Sequence, residues 1–234
     1  MILSFISDGP KTVLMVEALQ QGALNEYEID KAHFRYLGLS YQILKSHFTV
    51  FSEQPLACIG ANPLEREIIL LDPTSSPYLE KRYQQFILQN NFSFESISQF
   101  IENVIFNPNW VFLSSVSANR LEFPVISLDT FVEAGVGVCR HFALVTAYFL
   151  DRLSKEEKIA NGKSYYIRNT IETASGSGGH AWNLYLLEDR SAAWHIDTQW
   201  GIIKNILIDE DLHFLIDAYG KSAMESNLCL VKQT

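Results

Sequence analysis

The feature that most constrains the fold is a long segment, Cys139 to about Lys155, that is apolar on nearly every side. A helix with no polar face is ordinarily buried between other elements of a protein. The chain has 234 residues, of which 47% are hydrophobic and 19% charged, so it is long enough to enclose such a helix. We therefore predict a core built around this segment. Its apolar residues are Phe142, Ala143, Leu144, Val145, Ala147, Tyr148, Phe149, Leu150 and Leu153.

Three strand-like segments follow the apolar helix: Ser164–Thr170, His180–Leu187 and Ala193–Asp197. Successive strands after a helix are typical of an antiparallel meander rather than of alternating βαβ units. The glycine-rich run Ser175–Gly179 is expected to form a loop between the first two strands. The predicted fold class is therefore α+β, with a central buried helix against an antiparallel sheet.

The N-terminal part shows a different pattern. Apolar residues recur at spacings of three and four in Thr12–Leu19 and Tyr27–His47, which predicts helices. Two further helices are predicted, one beginning at Pro77 and one over Ser93–Phe106, with a short buried strand within Ala61–Asp72 between these helical segments. We therefore expect a mainly helical N-terminal region over residues 1–92 and a second domain over residues 93–234.

Charge and cysteine content exclude several classes of partner. The net charge is −9 and the isoelectric point is near 5.1, which argues against nucleic acid and against an anionic membrane surface as partners. No run of 18 apolar residues and no secretory signal is recognised, so no membrane span is expected. Three cysteines form no disulfide framework, which favours a reducing compartment. We predict a cytoplasmic location and leave export without a cleaved signal open.

Cys139 is the first candidate for chemistry. It follows Gly137 closely and begins the apolar helix. The first turn of a helix offers unpaired backbone N–H groups and a partial positive charge, and both favour a thiolate over a thiol. The same N–H groups can receive the oxyanion that forms when a thiolate attacks a carbonyl.

Two further residues complete a set in chain order. His180 begins one predicted strand, and Asp197 ends the next one. If these strands are antiparallel neighbours, Asp197 can lie beside His180 and orient its ring. Cysteine, histidine and aspartate then supply a nucleophile, a base and an orienting group.

The three sequence strings around these residues resemble the motifs of a known family. They are GVCRHFA at 137–143, GGHAWNLY at 178–185 and WHIDTQWG at 194–201. Together they resemble the motifs of the transglutaminase-like superfamily, which shares a papain-like core, over roughly residues 95–205. Two positions depart from the usual pattern: His141, where members more often carry an acidic or amide residue, and Gln199, where many carry proline.

The resemblance implies a role for each matched residue. Cys139 would be the nucleophile, His180 the general base and acid, and Asp197 the residue that orients His180. Residues 93–234 would then be a transglutaminase-like catalytic domain. It would need no cofactor and no metal, and would act on a protein or peptide substrate.

Two other histidines compete for a role. His195 shares a strand face with Asp197, but neighbours on one face of a strand stand about 7 Å apart, too far for the orienting hydrogen bond. We therefore prefer His180 as the base. His141 points about 200° away from Cys139 on a helix, so packing or surface exposure is expected. For the same reason Cys139, His141 and His180 do not form a plausible zinc site.

Four more residues are candidates for substrate binding or for the oxyanion site. Trp182 and Trp200 either pack in the core or form the walls of the cleft around the thiolate. Trp110 either packs on a predicted NWVFL strand or offers its indole N–H as a second oxyanion donor. Arg140 is expected either to be exposed or to bind an acidic group of the substrate.

These features predict a thiol-dependent acyl-transfer enzyme that acts on carboxamide or peptide carbonyls through a Cys139 thioester. Proteases, amidases or deamidases, and transglutaminases all belong to this description. Two alternatives stay open: acetyl transfer like that of arylamine N-acetyltransferases, and a catalytically silent module on the same fold that binds protein. The sequence leaves the substrate and the oligomeric state undetermined.

Overall fold

The computed structural model describes residues 28–29, 33–36, 38–44, 48–49, 53–58, 68–106, 125–173 and 176–233. The chain divides into two compact units. The first comprises residues 1–45, 53–85 and 105–137, and the second comprises residues 46–52, 86–104 and 138–234. Helices and strands occur together, which confirms the α+β class. The boundary predicted between residues 92 and 93 stays a prediction.

The described residues form six helices and eleven strands. The helices are α1 (Pro77–Ile87), α2 (Phe94–Phe100), α3 (Leu128–Ala134), α4 (Cys139–Lys155), α5 (Asp209–Tyr219) and α6 (Lys221–Gln233). The strands are β1 (Glu28–Ile29), β2 (His33–Tyr36), β3 (Leu39–Leu44), β4 (Phe48–Thr49), β5 (Leu56–Cys58), β6 (Ile68–Leu71), β7 (Val125–Ser127), β8 (Gly162–Thr173), β9 (Gly176–Leu187), β10 (Ala193–Asp197) and β11 (Ile202–Asn205).

The first unit contains a six-stranded mixed sheet. Its strand order is β1-β2-β3-β5-β6-β7, and the β3–β5 and β6–β7 pairs are parallel while the others are antiparallel. The buried residues that form its core are Tyr36, Tyr41, Ala57, Ile68, Leu70 and Val125.

This sheet corrects the prediction of a mainly helical N-terminal region. Within residues 1–92, the described part contains more strand than helix, and the helix predicted over Tyr27–His47 is wrong because β1, β2 and β3 lie there. Gly38, with φ near +78°, makes the turn that pairs Tyr36 with Leu39. Aromatic residues in this segment fit either period and favour strands, and the pairing of β2 with β3 decides the structure. The helix predicted over Thr12–Leu19 lies outside the described residues.

Several other local predictions are confirmed. A buried strand, β6, lies within the segment where one was predicted, and α1 begins at Pro77. The Ser93 side chain accepts a hydrogen bond from the Ser96 N–H and caps α2. Helix α2 continues as a π-helical turn, Ile101–Ile105, rather than in regular α form.

The second unit contains a five-stranded sheet of order β11-β10-β9-β8-β4, antiparallel throughout. The meander predicted from β8 to β10 is confirmed, and β8 and β9 are each 12 residues long. The loop predicted over Ser175–Gly179 is wrong for the described residues, because Gly176 to Gly179 extend β9. Their backbone pairs with the end of β8, for example Gly179 opposite Thr170.

The central helix α4 packs against β8 and β9 and confirms the predicted buried helix. Every residue from Arg140 to Leu150 is buried. Alternate residues of β9 point to different neighbours. Trp182 and Leu184 join a core cluster with residues of α5 and α6, whereas Tyr185 contacts Phe94 of α2. The sheet is therefore covered by helices on both faces. None of the helices in the described ranges is long and apolar enough to cross a membrane.

Candidate active site

The first turn of α4 is fixed by a buried histidine. His141 is 0% exposed, and its Nδ1 accepts a hydrogen bond of 3.0 Å from the backbone N–H of Val138, which precedes the helix. This is the reaching-back half of a capping box, supplied here by an imidazole. Of the two expectations for His141, packing is confirmed. The residue holds the turn that carries Cys139, which is half-buried.

Strands β9 and β10 bring His180 and Asp197 together. The register pairs Ile196 with Asn183, so Asp197 follows at the end of β10, close to the start of the buried part of β9. His180 Nε2 lies 2.6 Å from Asp197 Oδ2. His180 is 5% exposed and Asp197 is 0% exposed, so little water competes for this bond.

Cys139 adjoins this pair, because the hydrogen bond and the charge of His180 both act on the pKa of its thiol. Asp197 occupies Nε2 of His180, so Nδ1 is the nitrogen available to the sulfur. Burial raises the pKa of Cys139, but the hydrogen bond and charge of His180, the Ala181 backbone N–H and the charge of Arg140 lower it to a net value below the ordinary one.

The pKa of His180 moves in the opposite direction. Burial lowers it, but the hydrogen bonds and charges of Asp197 and Cys139 outweigh burial and raise the pKa to about 9. A lowered thiol pKa beside a raised imidazole pKa favours a thiolate–imidazolium pair at neutral pH.

Tyr219 is a member of the site that sequence reasoning missed. Its hydroxyl donates a 2.7 Å hydrogen bond to Asp197 Oδ2, and the backbone N–H of Trp200 donates a 3.2 Å bond to Asp197 Oδ1. Tyr219 ends α5 and lies apart from the three sequence strings. Its spacing of four from Leu215 predicts only a core position.

The two candidate tryptophans have different positions. Trp200 is 42% exposed and its ring stacks on His180, with centroids 4.1 Å apart and planes 18° apart. Trp182 is 1% exposed and belongs to the core cluster, with its ring 6.0 Å from that of His180. Of the two interpretations left open, Trp182 therefore packs in the core, while Trp200 covers His180 and also meets solvent.

The remaining candidates are Arg140 and Trp110. The expectation that Arg140 is exposed is wrong, because the residue is 2% exposed. It belongs to a helix that is buried on nearly every side, and its charge acts on Cys139 instead. Trp110 lies outside the described residues.

His195 is buried in a different environment from His180. It is 0% exposed, and neither ring nitrogen has a hydrogen-bond partner among the residues that the structure describes. Its ring lies edge-on to Tyr219, with centroids 4.6 Å apart. Burial lowers its pKa to about 4, against an opposing contribution from the charge of Asp197. His195 is therefore neutral at pH 7, and Asp197 makes its hydrogen bond with His180.

Among the described ranges, no group of three or more His, Cys, Asp or Glu side chains is arranged to hold a metal ion. Comparison of the chain with protein-family models, curated proteins and solved structures gave no significant match.

Proposed function

We propose that the protein is a thiol-dependent acyl-transfer enzyme with a transglutaminase-like, papain-like core. The observation that carries this proposal is the buried His180–Asp197 pair, with Nε2 of His180 2.6 Å from Oδ2 of Asp197, next to the half-buried Cys139 at the start of α4. The lowered pKa of Cys139 and the raised pKa of His180 support it, because a nucleophile and its base need shifts in these directions.

In the first half of the reaction, the Cys139 thiolate attacks the carbon of a carboxamide or peptide carbonyl. A C–S bond forms, and the carbonyl π electrons move to oxygen. First-turn N–H groups of α4 are the proposed donors to that oxyanion. When the oxyanion collapses, the C–N bond breaks and the His180 imidazolium gives its proton to the leaving nitrogen. The products are a thioester and a free amine or ammonia.

In the second half, neutral His180 accepts a proton from water or from an amine as that molecule attacks the thioester. The C–S bond breaks, and the electron pair returns to sulfur as thiolate. Water gives hydrolysis or deamidation, and an amine gives cross-linking. Asp197 keeps the imidazole oriented and stabilises its charged form in both halves.

The proposed substrate is a protein or peptide, and neither nucleic acid nor membrane is proposed as a partner. Cys58, Cys139 and Cys229 all lie in the described part of the chain and none of them is in a disulfide, which supports a reducing compartment such as the cytoplasm. Trp200, which is 42% exposed and stacks on His180, is proposed to contact such a substrate beside the nucleophile.

Selective alkylation tests the nucleophile. Cys229 is exposed and provides an internal reference thiol in the same protein. With iodoacetamide, we expect labelling of Cys139 to stay fast from pH 8 down to pH 6, because its lowered pKa keeps the thiolate populated, and we expect the ratio of the Cys139 rate to the Cys229 rate to rise as the pH falls. Peptide mass spectrometry measures both rates in one sample. If Cys139 declines in parallel with Cys229, Cys139 is an ordinary thiol and the proposal is wrong.

A substrate assay tests the reaction. The protein is incubated with a cell lysate and an isotopically labelled amine, and mass spectrometry separates deamidated, cleaved and amine-modified proteins. We expect at least one of these products with the natural chain, and none above background with Cys139→Ala. Cys58→Ala is the matched control, because Cys58 is buried in the first unit. Acetylation of Cys139 by acetyl-CoA alone would favour the N-acetyltransferase alternative.

A further inference from the structure

Tyr219 makes a contact that the proposed mechanism does not use. It is 0% exposed at the last position of α5, and its hydroxyl lies 2.7 Å from Asp197 Oδ2. That oxygen also accepts the bond from His180 Nε2, at 2.6 Å. One carboxylate oxygen therefore has two donors, one from α5 and one from the proposed base.

Packing alone does not account for the hydroxyl of Tyr219. The ring of Tyr219 packs among aromatic rings, where phenylalanine would give the same apolar contacts: its centroid is 5.3 Å from that of Trp182 and 5.2 Å from that of Trp200. Burial, the charge of Asp197 and the hydrogen bond to Asp197 all raise the pKa of Tyr219. The phenol therefore stays protonated, and it remains a donor at every pH at which the site would work.

We propose that Tyr219 is a positioning residue, which holds Asp197 in place and limits how strongly this carboxylate retains the proton of the His180 imidazolium. A second donor on Oδ2 shares the negative charge that would otherwise act on His180 alone. The Trp200 N–H holds the other oxygen, so the carboxylate is fixed at both ends. The inference rests on the proposed function, in which His180 must release its proton to a leaving nitrogen.

Tyr219→Phe removes a hydrogen bond to Asp197 without removing a charge from the surroundings of His180. Arg140 is charged, so replacing it would change the electrostatics of the site directly. Asn169, which pairs with His180 from β8, is uncharged. The titratable and charged groups that face His180 or its two bonded partners are Cys139 and Arg140 on α4, His195 and Asp197 on β10, and Tyr219 on α5.

The test measures the titration of His180 by NMR of its ring protons. The signal of His180 is assigned as the one that is missing in His180→Gln. In Tyr219→Phe we expect the midpoint to rise by about 0.5–1 pH unit, because Asp197 then concentrates its charge on His180. Tyr185→Phe is the matched control. Tyr185 is equally buried and donates a 2.7 Å bond to the Ala160 carbonyl, but it does not contact Asp197. A fall in the midpoint, no change, or the same change in both variants would overturn the inference.

A second measurement covers the case in which Tyr219→Phe does not fold. Biosynthetic replacement of tyrosine by 3-fluorotyrosine makes the phenol a stronger donor, so we expect the His180 midpoint to fall, opposite to the effect of Tyr219→Phe. An unchanged or raised midpoint counts against the inference. If His180 in the natural chain titrates at the ordinary value of 6.5, the proposed function fails. If that midpoint is raised but does not respond to Tyr219, only the inference fails.

Discussion

His180 and His195 occupy two regions of the same sheet that are similar in burial but shift the pKa of a histidine in opposite directions. They are 5% and 0% exposed, and their ring centroids lie 6.1 Å and 4.6 Å from that of Tyr219. Nevertheless, the pKa of His180 is raised to about 9, while the pKa of His195 is lowered to about 4.

The difference comes from partners rather than from burial. Burial is the largest contribution at both residues, and in both it lowers the pKa. His180 overcomes it with two hydrogen bonds, one to Asp197 and one to Cys139. His195 has no hydrogen-bond partner in the part of the chain that the structure describes, so burial decides its protonation state. A buried histidine in this sheet therefore has a raised pKa where acidic groups are placed against it and a lowered pKa where burial dominates.

The largest expected effect concerns folding stability at acidic pH. Between pH 4 and 6.5 the unfolded chain protonates His195 but the folded chain does not, so the free energy of unfolding should fall as pH falls through this window. A shift from 6.5 to about 4 corresponds to about 3 kcal/mol. His180, with a raised pKa, is protonated in both states below pH 6.5 and adds no slope there.

His195→Phe should remove this loss. Urea unfolding at several pH values measures it, with His213→Phe on the exposed side of α5 as the control. We expect the His195→Phe curve to be flatter than that of the natural chain between pH 6.5 and 4, and the control curve to be unchanged. If the free energy of unfolding depends on pH equally in all three proteins, His195 is protonated in the folded state. The two histidines would then not differ in protonation.

The second expected effect concerns the reactivity of Cys139. His180→Gln removes the hydrogen bond and the charge that lower the pKa of the thiol. At pH 6 an ordinary thiol is less than about 1% thiolate, so alkylation of Cys139 by iodoacetamide should slow by about 100-fold. Mass spectrometry of the Cys139 peptide gives the rate. His195→Phe should change this rate by less than about threefold, and a comparable loss in both variants would show that the two histidines are not distinct in function.

The local structure around the site could be predicted well from the sequence. The buried helix beginning at Cys139, the meander and the choice of His180 over His195 as the partner of Asp197 all follow from spacing and strand geometry. Antiparallel neighbours approach more closely than residues two apart on one strand, and that distance rule selected the histidine that Asp197 contacts.

What the sequence could not supply was long-range or ambiguous. Tyr219 reaches Asp197 because a helix folds back on the sheet, and nothing in the local pattern of α5 marks its hydroxyl as part of a site. Arg140 is buried because α4 is surrounded, whereas a charged residue is by default expected at the surface. The aromatic residues before Leu44 fit both helical and strand periods, and only the pairing of β2 with β3 decides between them.

The smallest expected effect separates the exposed side of His180 from its buried partners. Trp200 stacks on the imidazole at 4.1 Å, so its ring stabilises the charged form by about 1 kcal/mol or slightly less. Trp200→Ala removes this contribution, which lowers the pKa of His180, but it also opens the imidazole to water, which raises the pKa. Because the two effects oppose each other, we expect a net change of less than about 0.5 pH unit, measured by NMR of the ring protons of His180. The backbone N–H that donates to Asp197 remains in this variant. Leu207→Ala is the control, because Leu207 is an apolar residue exposed to a similar extent, 44% against 42% for Trp200, and it should leave the pKa of His180 unchanged.

The rings that contact His195 are those of Trp182 and Tyr219, so the acid-dependent stability assigned to His195 should persist in Trp200→Ala. If it is lost as well, the two histidines respond to one shared environment, and their opposite pKa values cannot be assigned to separate partners.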